Sequence, residues 1–329
     1  MGSSEDQPIR IGVAGLGVVG ARLLRLLVED QDRFATRGAR FEIAGVCARN
    51  RNRDRGVSLA DYAWFDNPVE LASRGEIDVF VELIGGADGP ARAAVEAALK
   101  AGVDVVTANK ALIAEHGAGL AKLAEEHEAA LEFEAAVAGG IPAIRVARDA
   151  LAPNRMTSVS GILNGTCNYI LSQMETTGAA YGDVLAEAQR LGYAEADPSF
   201  DVGGIDAAHK LAILASLCFG TELNFGSVAT EGIERVSPLD LKFAQELGYR
   251  IKLIGAAELD DRGAVRQSVR PVLLSLDHPL APVGDVINAV VFEAEPVGTL
   301  FLSGPGAGAG PTAAAVAADL CDIASGDKR

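Results

Sequence analysis

The chain has 329 residues, with 45 acidic and 29 basic side chains and a formal net charge of −16, the wrong sign for a nucleic-acid partner, whose phosphates need a basic face. Its 49% hydrophobic content fits a globular protein, its length allows two domains or one large one, and no apolar run approaches the length of a membrane span. The acidic surface suits work in concentrated salt, the polar first residues lack a signal-peptide pattern, and four scattered cysteines (Cys47, Cys167, Cys218, Cys321) form no C-x-x-C pair, so a cytoplasmic protein without a disulfide framework is expected.

The first half alternates β-rich runs at residues 9–14, 41–47, 77–84, 103–107 and 131–135 with Ala-, Leu- and Glu-rich helical stretches at 19–29, 90–100 and 111–128. This βαβ rhythm predicts a parallel sheet with helices on both faces. Beyond residue 150 the rhythm changes. A strand is predicted at 156–163, helices at 166–175, 183–191 and 205–219, and strands at 249–259, 264–275, 286–292 and 298–302. Turn signals such as Asp260-Asp261-Arg262-Gly263 separate the later strands, which predicts a mixed sheet in a second, α+β domain over 151–303. A glycine-rich loop at 304–310 and a final helix at 312–324 follow, and residues 304–329 are expected to join the first domain, 1–150.

"IGVAGLGVVG", residues 11–20, places Gly15, Gly17 and Gly20 in G-x-G-x-x-G, with Val18 and Val19 between them. The motif follows a predicted strand and opens a predicted helix, which is the context of an α/β Rossmann dinucleotide-binding domain. The first glycine permits the tight turn, the second admits a pyrophosphate, and the third lets helix pack on strand, while the helix N-terminus offers N–H groups to the phosphates. The next strand ends in Cys47-Ala48-Arg49-Asn50, followed by Arg51, Arg53 and Arg55, with no carboxylate before Asp54. Arg49 and its neighbours therefore favour NADP(H) over NAD(H), although a solvated basic loop would read the same way. Two more strand ends belong to the same crevice: Ile84-Gly85-Gly86, small enough for a flat ring, and Thr107-Ala108-Asn109-Lys110.

"GYAEADPSFDVGGIDAAHK", residues 192–210, carries Glu195, Asp197 and Asp201 into a helix whose first turns hold Asp206 and Lys210. Those two lie four apart on one face, and the helix beyond Leu211 is apolar nearly all round, so both charges are expected to be buried with partners or a ligand. Hydride transfer to a carbonyl carbon leaves an oxygen that needs a proton. Lys210 is the expected donor and Lys110 a second cation, while the carboxylates would select a substrate bearing an amino group.

These residues resemble the homoserine dehydrogenase signature: Ala188, Gly192-Tyr193-Ala194, Asp197-Pro198, Asp201-Val202, Gly204-Ile205-Asp206 and Lys210 stand at its spacing. Thr107–Lys110, Gly161-Ile162-Leu163-Asn164-Gly165-Thr166 and Gly304-Pro305-Gly306-Ala307-Gly308 extend the resemblance along nearly the whole chain. It implies NAD(P)-dependent interconversion of L-aspartate 4-semialdehyde and L-homoserine, in the aspartate pathway to threonine and methionine. It also implies that Lys210 is the acid/base residue assisted by Lys110, and that Glu195 and Asp206 bind substrate. Tyr193 and Asp201 of the same loop are further substrate-binding candidates, with a purely loop-shaping role the alternative for Asp197 and Asp201. Gly85, Thr107, Lys110, Gly192 and Gly306 would join Gly15, Gly17, Val18, Val19, Gly20 and Arg49 around the cofactor. The segment "EAAVAGGIP", 134–142, resembles the family's monovalent-cation site and nominates Glu134, Val137, Gly139 and Ile141 for Na+ or K+; Ala138-Gly139 stands where the family commonly has Gly-Ala. A homodimer through the second domain is implied. Inhibition by threonine through a C-terminal ACT domain is not expected, since the chain stops after its last helix.

Two other readings compete. An aspartate-semialdehyde dehydrogenase-like enzyme would use a cysteine nucleophile, for which Cys167 is the candidate. A non-catalytic dinucleotide sensor would need neither lysine nor the carboxylate loop.

Overall fold

Six parallel strands form the first unit of the computed structural model, which describes residues 7–74 and 76–326. This unit holds the described residues up to Gly139 and those from Gly308 onward; the second is Gly140–Ala307. In chain order the first unit runs β1 (Ile9–Ala14), α1 (Val18–Glu29), α2 (Gln31–Ala35), β2 (Phe41–Cys47), β3 (Ala63–Phe65), α3 (Pro68–Ser73), β4 (Val79–Glu82), α4 (Pro90–Lys100), β5 (Asp104–Thr107), α5 (Lys110–Glu126) and β6 (Leu131–Glu132). The sheet order is β3-β2-β1-β4-β5-β6. All four residues of β4 and of β5 are buried, as parallel strands covered on both faces require. The strand order reverses between β1 and β4, which opens a crevice at their carboxyl ends, the place where such sheets hold ligands.

The second unit continues with α6 (Ala143–Arg145), β7 (Arg155–Ile162), α7 (Gly165–Thr177), α8 (Tyr181–Arg190), α9 (Ser199–Val202), α10 (Ile205–Phe219), β8 (Ala229–Thr230), α11 (Pro238–Glu246), β9 (Tyr249–Leu259), β10 (Val265–Ser275), β11 (Ile287–Glu295) and β12 (Gly298–Pro305). Its sheet order is β12-β11-β7-β9-β10-β8, antiparallel except for β8 beside β10. The expected Rossmann domain and mixed second sheet are thus both present. Helix α10 packs on β7, β9 and β10 and is buried without a break from Asp206 to Ala215. The last helix, α12 (Ala309–Ala324), packs against α1 in the first unit through Ala313, Val316, Ala317 and Leu320.

Several short elements, among them α2, β3, α9 and β8, were not expected from the sequence, and three further departures have a clear local cause. The run at 131–135 is a two-residue strand followed by a 3-10 turn at Glu134–Ala136, because the Glu134 N–H is taken by Asp319 Oδ2 of α12 at 3.0 Å. Helix α3 begins at Asn67-Pro68, where the Asn67 side chain accepts from the Val69 N–H. Helix α11 begins with a reciprocal capping box between Ser237 and Asp240. Both helix starts carry ordinary sequence signals, an Asn cap before Pro and Ser-x-x-Asp.

Candidate functional site

The turn after β1 has a distinct steric reason for each glycine. Gly15 has φ +99°, and a Cβ there would strike the Leu83 carbonyl; a Cβ on Gly20 would strike the Gly15 carbonyl oxygen. Around Gly17 there is open space within 4 Å. Two positions are closed by backbone and the middle one is left clear at the start of α1, where Val18 is 71% exposed. That cradle fits a dinucleotide pyrophosphate.

Beside it, Glu82 is fully buried at the end of β4. Its Oε1 accepts the N–H groups of Ile84 and Gly85 at 2.7 and 3.0 Å, and its Oε2 accepts the Thr107 hydroxyl at 2.5 Å. Thr107 Oγ1 in turn accepts the Asn109 N–H, and Asn109 donates to the Gly86 carbonyl and caps α5 by accepting from Leu112. One carboxylate with three donors therefore ties the ends of β4 and β5 together and holds Gly85, at φ +86°, and the α5 start where Lys110 stands. Glu82 and Asn109 carry this frame, yet the sequence reading gave them no role. The available signal was a carboxylate inside an otherwise apolar parallel strand.

The basic loop divides its labour. Arg55 donates to the carbonyls of Leu16, Arg53 and Asn50 at 3.1, 2.7 and 2.6 Å, and so fastens the loop to the glycine turn. The Arg51 guanidinium lies 5.6 Å from the Trp64 ring centre. Arg49, directly after β2, is exposed and makes no hydrogen bond or ion pair among the described residues. Arg53 is exposed as well and contributes only its carbonyl to these bonds, so Arg49 and Arg53 are both left available to an anionic group, Arg49 directly at the end of β2.

In the second unit, Lys210 and Asp206 are 8% and 4% exposed. Lys210 Nζ donates to Asp206 Oδ2 and to the Leu163 carbonyl, both at 2.7 Å, which leaves one N–H with no acceptor among the described residues. Burial therefore does hold the two charges together. Asn164, which follows Leu163 at the end of β7, donates from Nδ2 to Asp201 Oδ1 at 2.8 Å and to Asp206 Oδ2 at 2.9 Å. Its Oδ1 accepts the Cys167 N–H and caps α7.

The loop before this helix is held locally. Thr166 donates to the Tyr193 carbonyl at 2.7 Å, and the Tyr193 ring, 44% exposed, lies edge-on to Tyr169 at 4.9 Å. Gly192 has φ +79°. The Glu195 side chain is exposed, while its carbonyl accepts from Gln189. The hydroxyl and N–H of Ser199 hold the Asp197 carboxyl below its usual range, so Asp197 shapes the turn into α9. A Cβ on Gly306 would collide with the amide of Asn288, a residue 1% exposed. In the cation segment Glu134, Val137 and Ile141 are buried, and Ala138 and Gly139 take left-handed φ values of +56° and +49°.

Cys167 is fully buried, and its thiol donates to the Asp201 carbonyl. Burial first, then the charges of Asp201, Asp206 and Glu234, push its pKa well above the ordinary thiol value. A thiol that resists ionisation and faces no solvent is a poor nucleophile, which removes the main support for the acyl-enzyme reading.

Residues 142–321 match the family model described as homoserine dehydrogenase, and residues 15–134 match that of the homoserine dehydrogenase NAD binding domain. A homoserine dehydrogenase of Neisseria gonorrhoeae is 46% identical over 319 residues, covering 97% of this chain and 73% of its own. The solved homoserine dehydrogenase of Thiobacillus denitrificans superposes with a TM-score of 0.93 at 43% identity, over 97% of this chain and 73% of that one. A hyperthermophilic archaeal homoserine dehydrogenase in complex with NADPH gives a TM-score of 0.81 at 28% identity, over 96% and 97% of the two chains.

Proposed function

The chain belongs to the homoserine dehydrogenase family, and from that membership we propose how its own residues carry the reaction. The activity is the reversible, NAD(P)-dependent interconversion of L-homoserine and L-aspartate 4-semialdehyde in the aspartate pathway. A nicotinamide cofactor, when bound, supplies or accepts the hydride. Lys210 moves the proton: it donates to the carbonyl oxygen on reduction and takes the hydroxyl proton on oxidation. The observation that carries this assignment is the fixed Nζ, with two N–H groups held by Asp206 and Leu163 and the third left over.

Lys110, at the start of α5, is the assisting cation. Glu195 and Tyr193 on the exposed loop meet the polar end of the amino-acid substrate, with Asp206 and Asp201 behind them. Gly15, Gly17 and Gly20 with Val18 and Val19 receive the pyrophosphate, Arg49 favours the 2′-phosphate of NADP(H), and Gly85, Thr107, Gly192 and Gly306 complete the cofactor's surroundings. Main-chain oxygens of Glu134, Val137, Gly139 and Ile141 would hold Na+ or K+. The protein works as a cytoplasmic homodimer through its second unit, where Leu239, Phe243, Leu247 and Leu273 are each more than half exposed, more apolar surface than scattered single residues give. No helix among the described residues is long and apolar enough to cross a membrane.

The test is homoserine-dependent reduction of NADP+ and NAD+ by the purified protein, with and without K+ or Na+. Activity is expected with a higher kcat/KM for NADP+, a preference that Arg49→Ala diminishes. Full activity in Lys210→Ala would overturn the proton assignment, and a clear NAD+ preference the cofactor assignment.

A further inference from the structure

Asn164 stands at the junction of everything that fixes Lys210. It is 5% exposed, and both N–H groups and the oxygen of its amide are engaged: the N–H groups on Asp201 and Asp206, the oxygen on the Cys167 N–H. Those partners settle the orientation of the amide, since a flipped group would set its oxygen against two carboxylates. The residue before it, Leu163, supplies the second acceptor of Lys210. Asp206 Oδ2 thus receives a donor from each side, Lys210 at 2.7 Å and Asn164 at 2.9 Å.

We propose that Asn164 is a positioning residue for the reaction: it holds Asp206 and Asp201 side by side and so fixes the direction in which Lys210 presents its proton. Two neighbouring carboxylates repel unless donors lie between them, and the two N–H groups of one rigid amide are those donors. Asp201 acts on the lysine through Asn164, without a hydrogen bond to Lys210 of its own. Other titratable groups around this cluster include the Cys167 thiol of α7, Glu234 on the loop after β8, and Tyr181 of α8, which faces both. None of these three is among the hydrogen-bond partners of the lysine.

The inference rests on Lys210 as the acid/base residue, and the experiment separates the two. Asn164→Asp keeps an equally good helix cap but exchanges two donors for a third carboxylate. In homoserine oxidation Lys210 must be neutral to accept a proton, and an added anion favours its charged form. The acidic limb of the kcat–pH profile of N164D is therefore expected to move up by about one pH unit, with kcat near neutral pH lowered about tenfold or more. Exchanging partners in N164D/D201N restores the local charge and should return the limb toward its wild-type position.

A wild-type limb and kcat in N164D would overturn the proposal. So would a fall in activity that merely tracks a fall in Tm with the limb unmoved, because Asn164 would then be only the cap of α7. If N164D does not fold, Asn164→Ser also caps but cannot span both carboxylates. It should lower kcat about tenfold at little-changed homoserine KM, and wild-type kcat in that variant would overturn the proposal equally. Lys210→Ala is run alongside. Activity retained there removes the reading of Lys210 and this inference with it, whereas loss there with a normal N164D removes the inference alone.

Discussion

Two lysines lie buried in the second unit, and their surroundings differ. Lys210 is 8% exposed and Lys252 1%. Lys210 has a carboxylate and a carbonyl for partners and one N–H to spare. Lys252, in β9, has no carboxylate: it donates to Asn168 Oδ1 at 2.9 Å, Ser172 Oγ at 3.2 Å and the Val283 carbonyl at 2.6 Å. All three of its N–H groups are consumed inside the protein. Burial, helped by the charge of Arg250, lowers its pKa from 10.5 to about 8, with Glu175 and Asp285 pulling the other way. A buried cation is therefore not in itself the mark of an active site. In the proposed reading of Lys210 the mark is a donor left over beside a fixed counter-ion, whereas Lys252 is a cross-link between β9, α7 and the segment before β11.

The sharpest way to break this contrast is to exchange the readouts. Lys210→Ala should lower kcat by about 100-fold or more, the span usual for a lost general acid or base. Lys252→Met should leave kcat of the folded fraction within about tenfold of wild type. It should cost about 2 kcal/mol of stability, because Asn168, Ser172 and the Val283 carbonyl lose their donor in a dry site. Urea unfolding and steady-state rates on both variants decide it. A catalytically dead but fully stable K252M would assign Lys252 to the chemistry.

A second, smaller effect follows from the depressed Lys252 pKa. Between about 8 and 10.5 the unfolded chain keeps a proton on this lysine that the folded chain has lost. Stability rises with pH wherever the unfolded state binds more protons. The Lys252 contribution should thus increase through this window and be flat below it, by up to about 3 kcal/mol. The measurement is the difference in unfolding free energy between wild type and K252M from pH 7 to 10, which subtracts the general effect of an acidic surface. A gap that narrows as pH rises would mean that the ammonium form is favoured in the fold.

The sequence made one of these lysines legible and not the other. Lys210 announces itself because Asp206 is four residues away on the same helix and the residues after it are apolar. Lys252 reads as the polar position of an alternating strand; its burial depends on Asn168 and Ser172, 84 and 80 residues earlier in the chain. Asn164 was legible in the sequence only as part of the Gly161–Thr166 stretch, because its two carboxylates lie 37 and 42 residues on. The glycine turn was legible as three separate glycine roles, since it is local. The frame beside it was not: Glu82 meets Thr107 only when the parallel sheet brings β4 against β5. The run of arginines read as a single patch, whereas the fold uses Arg55 for three carbonyls and Arg51 for the Trp64 ring and leaves Arg49 exposed.

The smallest test isolates the weakest strut of the Lys252 cross-link. The bond to Ser172 is the longest of the three, at 3.2 Å, and joins the strand to the second turn of α7 rather than to the segment ahead of β11. Ser172→Ala removes one neutral acceptor and leaves Asn168 and Val283 in place. It should cost about 0.5–1.5 kcal/mol, the worth of a single net hydrogen bond. Asn168→Ala should cost more, because the Asn168 amide also donates to the carbonyls of Val283 and Ile287 at 3.3 and 3.1 Å. If Lys252 acts as a cross-link, S172A and K252M should share part of their loss, so the double variant should be less destabilised than the sum of the two. Strict additivity would mean that Ser172 and Lys252 are merely neighbours, and that Lys252 is held by the other two acceptors alone.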